Sequence, residues 1–191
     1  MYKNIAIIVS MLMLCVYVNE VTAQQRGGGF RIPNLKMETD AFEDGGIVPE
    51  KYAARGGNVQ PGFTFSNPEE GTVSYAIVFH DIDVAIGGGT DDILHWLVWN
   101  IPAAAGGIPE GNLPEGSVVG ANLMRQNTYM GPGAPPGPKF HHYVFELYAL
   151  NANLDLPASA SRKDLMEAMQ GKVIAKAAYV GRYKGQPRPQ Q

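Results

Sequence analysis

Four apolar runs of strand length, each bounded by glycine, proline or small polar residues, constrain the fold more than any other feature of the sequence. They are rich in Val, Ile, Tyr, Phe and Trp, and they cover residues 73–81, 94–101, 142–149 and 172–183. Such residues favour extended chain, whereas glycine and proline favour the turns between strands. The chain has 23 glycines and 14 prolines among 191 residues. The pattern therefore predicts a mostly β fold.

Weaker signals complete the predicted architecture. Two further strands are predicted over residues 30–38, where Pro33 favours an edge position, and over residues 62–66. One helix is predicted late in the chain, because Ser161 and Asp164 match a capping box and Gly171 can end the helix. Many strands with one late helix favour an antiparallel β-sandwich whose helix packs at one end or edge.

The two ends of the chain differ from its middle. Residues 1–23 carry Lys3 near their start, continue as an apolar run and finish with small residues, which is typical of a signal peptide. We therefore predict export to the periplasm or the extracellular space, with an uncleaved N-terminal anchor as the alternative. Residues 24–29 are predicted to be a flexible leader, residues 30–184 a single domain and residues 185–191 a polar tail.

Charge and cysteine content exclude two classes of protein. The formal net charge of −3 provides no basic field for nucleic acid. The single cysteine, Cys15, lies in the predicted signal peptide, so the mature chain is not a disulfide framework. Its stability must come from an ordinary apolar core.

Polar side chains are expected where the first strong strand ends. Side chains alternate across a strand, so Tyr75, Ile77 and Phe79 share one face. If the same alternation continues, Asp81 and Asp83 lie on that face beyond the strand. Acidic groups would then stand at one end of an apolar stripe, although they could equally cap the following turn.

The same transition from apolar to polar is expected in two other strands. His141 and Tyr143 share a face with Phe145, and His142 points the other way. In the run over residues 94–101, His95 comes at the start, on the face of Leu97. A histidine at a strand end is usually a structural residue. If these ends meet, however, they form a pocket with an apolar floor and convergent polar groups, which is typical of a small-ligand site.

Two sequence blocks resemble the phosphatidylethanolamine-binding protein family, in its bacterial Raf-kinase-inhibitor-like or YbhB/YbcL-type branch. The first runs from Asp81-Ile82-Asp83 to the pair His95-Trp96, and the second is the Gly/Pro-rich loop from Gly131-Pro132 to His141-His142-Tyr143. Residues 164–183 are a weaker match. The chain departs from the family pattern at Ile82, where proline is usual, at residues 84–85, where an alanine-proline pair is common, and in the insert over residues 87–92.

The resemblance implies an antiparallel β-sandwich with a small anion-binding pocket at one end, without a cofactor or a metal ion. The residues that it places around the ligand are Asp81, Asp83, His95, Gly131, Pro132, His141 and Tyr143. Of these, Gly131 and Pro132 would form a backbone wall, and Asp83 a second acidic wall residue.

We therefore expect the protein to bind a small anionic or zwitterionic ligand, such as a phosphate ester or a phosphoethanolamine-type headgroup. Imidazoles, a tyrosine hydroxyl and loop N–H groups can donate to phosphate oxygens, while Asp81 can accept from an ammonium group. Affinity is expected to fall as the pH rises through the ordinary histidine pKa near ~6.5.

Two other functions are alternatives. The chain could be an inhibitor or regulatory module that contacts an envelope protease, or a hydrolase that depends on His and Asp side chains. Against catalysis, the sequence has no serine elbow and no His-Glu-x-x-His motif, and alternation separates His141 from His142. We predict no enzymatic activity. A peripheral membrane contact and a homodimer are further partners compatible with the sequence.

Overall fold

The computed structural model describes residues 32–187, whose strands form two sheets. The small sheet has the order β1-β3-β6 and consists of β1 (Lys36–Glu38), β3 (Phe63–Ser66) and β6 (Gly107–Ile108). The large sheet has the order β2-β9-β8-β4-β5-β7 and consists of β2 (Gly46–Ile47), β4 (Ser74–Asp81), β5 (Ile93–Pro102), β7 (Val118–Val119), β8 (His141–Leu150) and β9 (Val173–Tyr183). The paired strands are antiparallel except β2 and β9, which are parallel.

One α-helix, α1 (Arg162–Ala168), accompanies these strands within the described residues. Its capping box is confirmed, because the Asp164 N–H donates to Ser161 Oγ at 3.2 Å and the Ser161 N–H donates to Asp164 Oδ2 at 2.8 Å. Three short 3₁₀ helices cover Glu50–Tyr52, Ile86–Gly88 and Ala103–Ala105. The predicted class, a mostly β sandwich with one late helix, is confirmed.

The position of α1 differs from the expected end or edge of the sandwich. Leu165 and Met169 are buried against Val78, Leu97 and Leu150, which belong to the outer face of the large sheet. That face is apolar along β4, β5 and β8, so another element must pack on it to shield it from water. The helix therefore packs on a face of the sheet.

The main core lies between the two sheets, where β4 and β8 contribute the side chains that alternation predicts. These are Tyr75, Ile77 and Phe79 from β4, and Tyr143, Phe145 and Leu147 from β8. Phe79 pairs with Phe145 across the strands, and their rings stack with centroids 3.8 Å apart. Burying each such ring contributes about 1.5–3 kcal/mol. Two residues after Phe79, Asp81 pairs with Tyr143. Polar groups therefore lie at the end of this apolar layer.

A β-bulge interrupts β5 at the position that matters for the site. Phe79 pairs with Trp96, but the next residue, His80, pairs with Leu94, which leaves His95 as an extra residue on β5. In a bulge, two residues of one strand lie opposite one residue of its neighbour, so simple alternation is lost.

The bulge makes the predicted grouping of His95 with Leu97 wrong, although His95 lies on the core side as predicted. Alternation put His95 on the face of Leu97, but Leu97 packs under the helix. The ring of His95 instead lies on the inner side, 5.3 Å from that of Phe79 and 5.2 Å from that of Tyr143 between centroids.

The four strong strands were predicted to within two residues at each end. Of the weaker strand predicted over residues 30–38, the described residues 32–38 form a strand at Lys36–Glu38. Strands β2, β6 and β7 have two residues each, too few for a recognisable pattern. The predicted signal peptide, the leader and residues 188–191 of the tail lie outside the described residues. Within residues 32–187, no helix has the length and apolar character needed to span a membrane.

Candidate ligand-binding site

Asp81, the last residue of β4, is the centre of the candidate site. Its carboxylate is buried, and Oδ2 lies 2.7 Å from His141 Nδ1 on the neighbouring strand β8. The Asp83 N–H donates to the other oxygen, Oδ1, at 3.0 Å, which closes a turn directly after the strand. These contacts fix the carboxylate and assign the proton between the pair to His141 Nδ1. Nε2 is then the imidazole atom of His141 left for a ligand.

His95 lies on the side of the site that faces the apolar core, beside Phe79 and Tyr143. Its side chain is buried, and Nδ1 donates to the Met130 carbonyl oxygen at 2.8 Å, while the Met130 N–H donates to the His95 carbonyl at 3.3 Å. Burial lowers the pKa of His95, although the Met130 carbonyl and the charge of Asp81 act in the opposite direction. With the Nδ1 proton committed to Met130, the neutral ring offers Nε2 as an acceptor.

Tyr143 joins the site to the Gly/Pro-rich loop. Its hydroxyl oxygen accepts hydrogen bonds from the N–H groups of Gly133 at 3.2 Å and Ala134 at 2.9 Å. Burial and the neighbouring carboxylate of Asp81 raise the pKa of Tyr143 above its ordinary value. The phenol therefore stays protonated, and its O–H can donate to Asp81 or to a ligand.

The loop residues Gly131 and Pro132 are held by a different part of the chain. The Gly131 N–H donates to Asn58 Oδ1 at 2.8 Å, and the Pro132 carbonyl accepts from the Ala54 N–H at 2.9 Å. A side chain at position 131 would collide with the carbonyl of Tyr52, so only glycine fits there.

The hydrogen bonds of this loop correct one expectation. The amides of Gly131, Gly133 and Ala134 already have protein acceptors. They are therefore not free to bind a phosphate. The loop therefore supports the site with its backbone, and the side chains of the site must supply the hydrogen-bond donors for a ligand.

Asp83 does not join this site, so its predicted role as a second acidic wall residue is wrong. Asp83 Oδ2 accepts from the backbone N–H of His142 at 2.6 Å and contacts its Nδ1 at 2.8 Å. Lys139 Nζ lies 2.5 Å from Asp83 Oδ1. The strand ends in a turn at Asp81, and alternation stops there.

These partners shape both the charge and the geometry around Asp83. Burial alone would raise the pKa of Asp83, but the hydrogen bonds from Lys139 and His142 outweigh it and hold the pKa well below its usual range. The Ile82 N–H also donates to the His142 carbonyl at 3.2 Å, a bond that the proline usual at this position could not make.

The structure thus brings together four of the predicted ligand-binding side chains, Asp81, His95, His141 and Tyr143, with Gly131 and Pro132 behind them. His141 is the most accessible of the four, because its side chain is 19% exposed and the others are nearly buried. We call this polar cluster the recess, and the His141 ring is its most exposed side chain.

Two residues that organise the site were not indicated by any sequence pattern. Asn58 holds Gly131, and it adopts a left-handed φ of 49° after two glycines. A Gly-Gly-Asn stretch indicates a turn, but nothing in it indicates a contact with position 131. Met130 contributes through its backbone carbonyl, which sequence patterns do not distinguish.

The glycine-rich insert over residues 87–92 is fixed away from the recess. Asp92 bonds to His80 Nδ1 at 2.5 Å and to Arg162 Nη1 at 2.5 Å, both on the outer side of the large sheet. Within residues 32–187, no group of three or more His, Cys, Asp or Glu side chains is arranged to hold a metal ion.

Comparison with known proteins identifies the family. The sequence model described as phosphatidylethanolamine-binding protein matches residues 38–184, which include every element of the recess. The chain belongs to the phosphatidylethanolamine-binding protein family. Among its relatives, a UPF0098 protein of Methanothermobacter thermautotrophicus is 36% identical over 78% of this chain and 99% of the relative. The UPF0098 protein PH1269 of Pyrococcus horikoshii is 35% identical over 83% of this chain and 80% of the relative.

Solved structures of this family share the fold and point to its bacterial YbhB/YbcL type. YbcL of Escherichia coli superposes with a TM-score of 0.73 at 27% identity, covering 80% of this chain and 99% of YbcL. CT736 of Chlamydia trachomatis, described as a homologue of the family, gives a TM-score of 0.73 at 28% identity, covering 81% of this chain and 99% of CT736.

Proposed function

We propose that this member of the phosphatidylethanolamine-binding protein family binds a small zwitterion of the phosphoethanolamine type in the recess of Asp81, His95, His141 and Tyr143. The observation that carries the proposal is the Asp81–His141 pair, with 2.7 Å between Oδ2 and Nδ1, at the mouth of a recess lined by two further polar rings. The pair places a negative group and a potential cation side by side.

The balance of donors and acceptors favours a zwitterion over a simple anion. Asp81 and neutral His95 offer acceptors, which suit an ammonium group. The O–H of Tyr143 and a protonated His141 can donate to phosphate oxygens. Because the loop amides are already paired, the recess has fewer donors than a dedicated phosphate site needs. A ligand that carries its own cation makes up this difference.

Calorimetric titration with a ligand and its two halves tests the proposal. Phosphoethanolamine is expected to bind at least about tenfold more tightly than inorganic phosphate or ethanolamine alone, because only the whole molecule uses both kinds of group. Asp81→Asn keeps the side-chain shape and should remove this advantage. Equal affinities for phosphoethanolamine and phosphate, or an unchanged advantage in Asp81→Asn, would overturn the zwitterion assignment.

The pH dependence supplies a second readout of the same site. His95 gains its second proton only below the ordinary histidine range, because burial lowers its pKa. Phosphate affinity should therefore rise as the pH falls below ~6.5. An affinity that stays flat between about pH 5 and 8 would show that histidine charge plays no part.

The Asp81–His141 pair also has the arrangement of an acid–base pair, so hydrolysis is the second candidate. We propose binding without turnover, since the recess contains no serine or cysteine nucleophile among the four residues that line it. A screen with p-nitrophenyl phosphate and p-nitrophenyl acetate separates the two. Turnover that disappears in His141→Gln would establish catalysis.

We also propose that the protein is exported. The predicted signal peptide supports this, as does the relation to LppC of Mycobacterium tuberculosis, a protein that its name describes as a candidate lipoprotein and that is 33% identical over 79% of this chain and 73% of LppC. Cell fractionation followed by N-terminal sequencing tests it. Recovery in the periplasm with Gln24 as the first residue is expected, and recovery of the intact chain in the cytoplasm would contradict it.

A further inference from the structure

A concavity separate from the recess opens beside β1 and β9. It has a volume of about 1360 Å³ and is lined by the segment from Leu35 to Asp44, by Tyr52, by residues 62–64 and by residues 177–179, with Ile108 and Glu110. None of the four side chains of the recess lines it. We call it the acidic groove.

Aromatic rings form the floor of the acidic groove. The ring of Phe42 meets that of Tyr179 edge to face at 5.7 Å, and Tyr179 meets Phe63 in the same way at 5.8 Å. Tyr52 lies beside Phe42 at 6.4 Å. The Tyr179 hydroxyl donates to the Phe42 carbonyl at 2.6 Å, which ties the floor to the rim segment. Tyr52, Phe63 and Tyr179 are buried, and Phe42 is the partly exposed ring of this floor. The face of an aromatic ring attracts cations.

Carboxylates surround this floor. Glu38, Asp40, Glu43 and Asp44 are exposed and follow one another along one rim. Burial raises the pKa of Tyr179, and these same four carboxylates raise it further, so their fields converge on one ring. Lys36 is the only basic side chain among the described lining residues.

The opposite rim is nearly neutral. Glu110 receives hydrogen bonds from Lys51 Nζ at 2.5 Å and from the Tyr52 hydroxyl at 2.7 Å. The charge that would act on a ligand is therefore concentrated on the side of residues 38–44.

We propose that the acidic groove binds an extended, basic peptide segment of a partner protein. Charge complementarity selects lysine or arginine, because the exposed carboxylates offset their charge and the partly exposed Phe42 ring can contact a cation. The volume exceeds the about 300–1,000 Å³ typical of small-molecule sites, so it can accept several residues. This inference does not depend on the ligand of the recess.

Fluorescence anisotropy with a labelled hexapeptide tests the proposal, using alternating lysine and valine as the probe and alternating glutamate and valine as its counterpart. The lysine peptide should bind, and its affinity should fall several-fold between about 0.02 M and 0.2 M salt because the rim charges are exposed. The glutamate peptide should not bind. Spermidine, a small polyamine, should compete only weakly.

Matched charge variants locate the binding. Asp40→Asn combined with Glu43→Gln should raise the Kd of the lysine peptide by about fivefold or more. Glu70→Gln combined with Glu115→Gln removes the same charge from exposed positions that do not line the groove, and should change the Kd by less than about twofold. All four side chains are exposed, so each protein is expected to fold normally.

A third variant separates the rings from the charges. Phe42→Leu keeps an apolar side chain but loses the aromatic face, and should weaken lysine-peptide binding by about threefold without changing the affinity of the recess for phosphoethanolamine. Equal weakening by both double variants would reduce the interaction to net charge and overturn the site. Spermidine binding as tightly as the peptide would overturn the peptide assignment.

Discussion

Two aspartate–histidine pairs stand at the same end of β4 and β8, and they differ in their surroundings. In the inner pair, Asp81 Oδ2 and His141 Nδ1 are 2.7 Å apart, and the two side chains are 3% and 19% exposed. In the outer pair, Asp83 Oδ2 and His142 Nδ1 are 2.8 Å apart, with side chains 12% and 44% exposed. The two pairs contain the same residue types, with the aspartates two positions apart and the histidines adjacent in sequence, and they form nearly identical contacts.

Burial and neighbours give the two pairs different roles. The inner pair lies beside His95 and Tyr143, where little water competes for the polar atoms. The outer pair has the ammonium group of Lys139 as a third partner and reaches solvent. An electrostatic contact is stronger away from water, and an unpaired polar group there is more costly. The inner pair therefore suits ligand binding, and the outer pair clamps the start of β8 to the turn after β4.

Removing the carboxylate of either pair should have the largest effect on the free energy of unfolding, and the effect should be greater for Asp81 than for Asp83. Asp81→Ala leaves the Asp83 N–H and His141 Nδ1 without their acceptor in a buried place, and should lower the free energy of unfolding by about 2–4 kcal/mol. Asp83→Ala exposes similar groups to water and should cost about 1–2 kcal/mol. Urea denaturation at pH 7 measures both. Equal losses would mean that burial does not distinguish the pairs.

Replacing the histidine of each pair should have different effects on the affinity for phosphoethanolamine. His141→Gln removes the ring at the mouth of the recess and should weaken phosphoethanolamine by about tenfold or more. His142→Gln, its matched control on the outer face, should change the affinity by less than about twofold. Isothermal titration measures both, and a comparable loss in the two variants would place the ligand elsewhere.

Acid should affect the two faces in different pH windows. Burial lowers the pKa of His95, so the unfolded chain takes up a proton first as the pH falls below about 6.5, and stability declines from there. The pKa of Asp83 is also lowered, from 3.8, so its contribution is complete above that value and is lost only as the pH falls below it.

Urea denaturation between pH 3 and pH 8 distinguishes these two contributions. His95→Gln should flatten the decline that begins near the ordinary histidine pKa, and Asp83→Asn should flatten only the decline at lower pH. The inner–outer distinction fails if His95→Gln leaves the upper window unchanged.

The smallest expected effect concerns the third partner of the outer pair. The Lys139 side chain is 65% exposed, so its contact with Asp83 is screened by solvent. Lys139→Met should change the free energy of unfolding by no more than about 0.5 kcal/mol, with the difference disappearing at high salt. Thermal melting at two salt concentrations measures this. A loss as large as that of Asp83→Ala would show that the lysine, and not the His142 contacts, holds the clamp.

Much of this arrangement followed from local patterns. Alternation assigned Tyr143 and His141 to the inner face and His142 to the outer one, because β8 runs without interruption from its first residue to the point where Ala149 pairs with Ala175. The same rule placed Asp81 correctly at the end of the inner stripe of β4. The capping box of α1 was also readable, since it depends on residues only three positions apart.

Other features depend on contacts that no local pattern contains. The facing of His95 is set by a bulge in β5, and at this position His95 and Met130 exchange hydrogen bonds. Neighbours of His95 on both faces of β5 are apolar and buried, so the sequence could not reveal the shift. The Gly131 amide is likewise taken by Asn58, 73 positions earlier.

The order of residues is sufficient to predict the main strands, the N-terminal cap of the helix and the types of side chain that lie at one end of β4 and β8. Strand periodicity and capping are properties of neighbouring residues, so the order of amino acids is enough to predict them. The packed chain, and not the order of residues, places Asp81 beside His95 and Tyr143, pairs Asp83 with His142 and Lys139, and pairs the loop amides. Burial and hydrogen-bond pairing are properties of the packed chain, and residues of the same type acquire different chemistry from them.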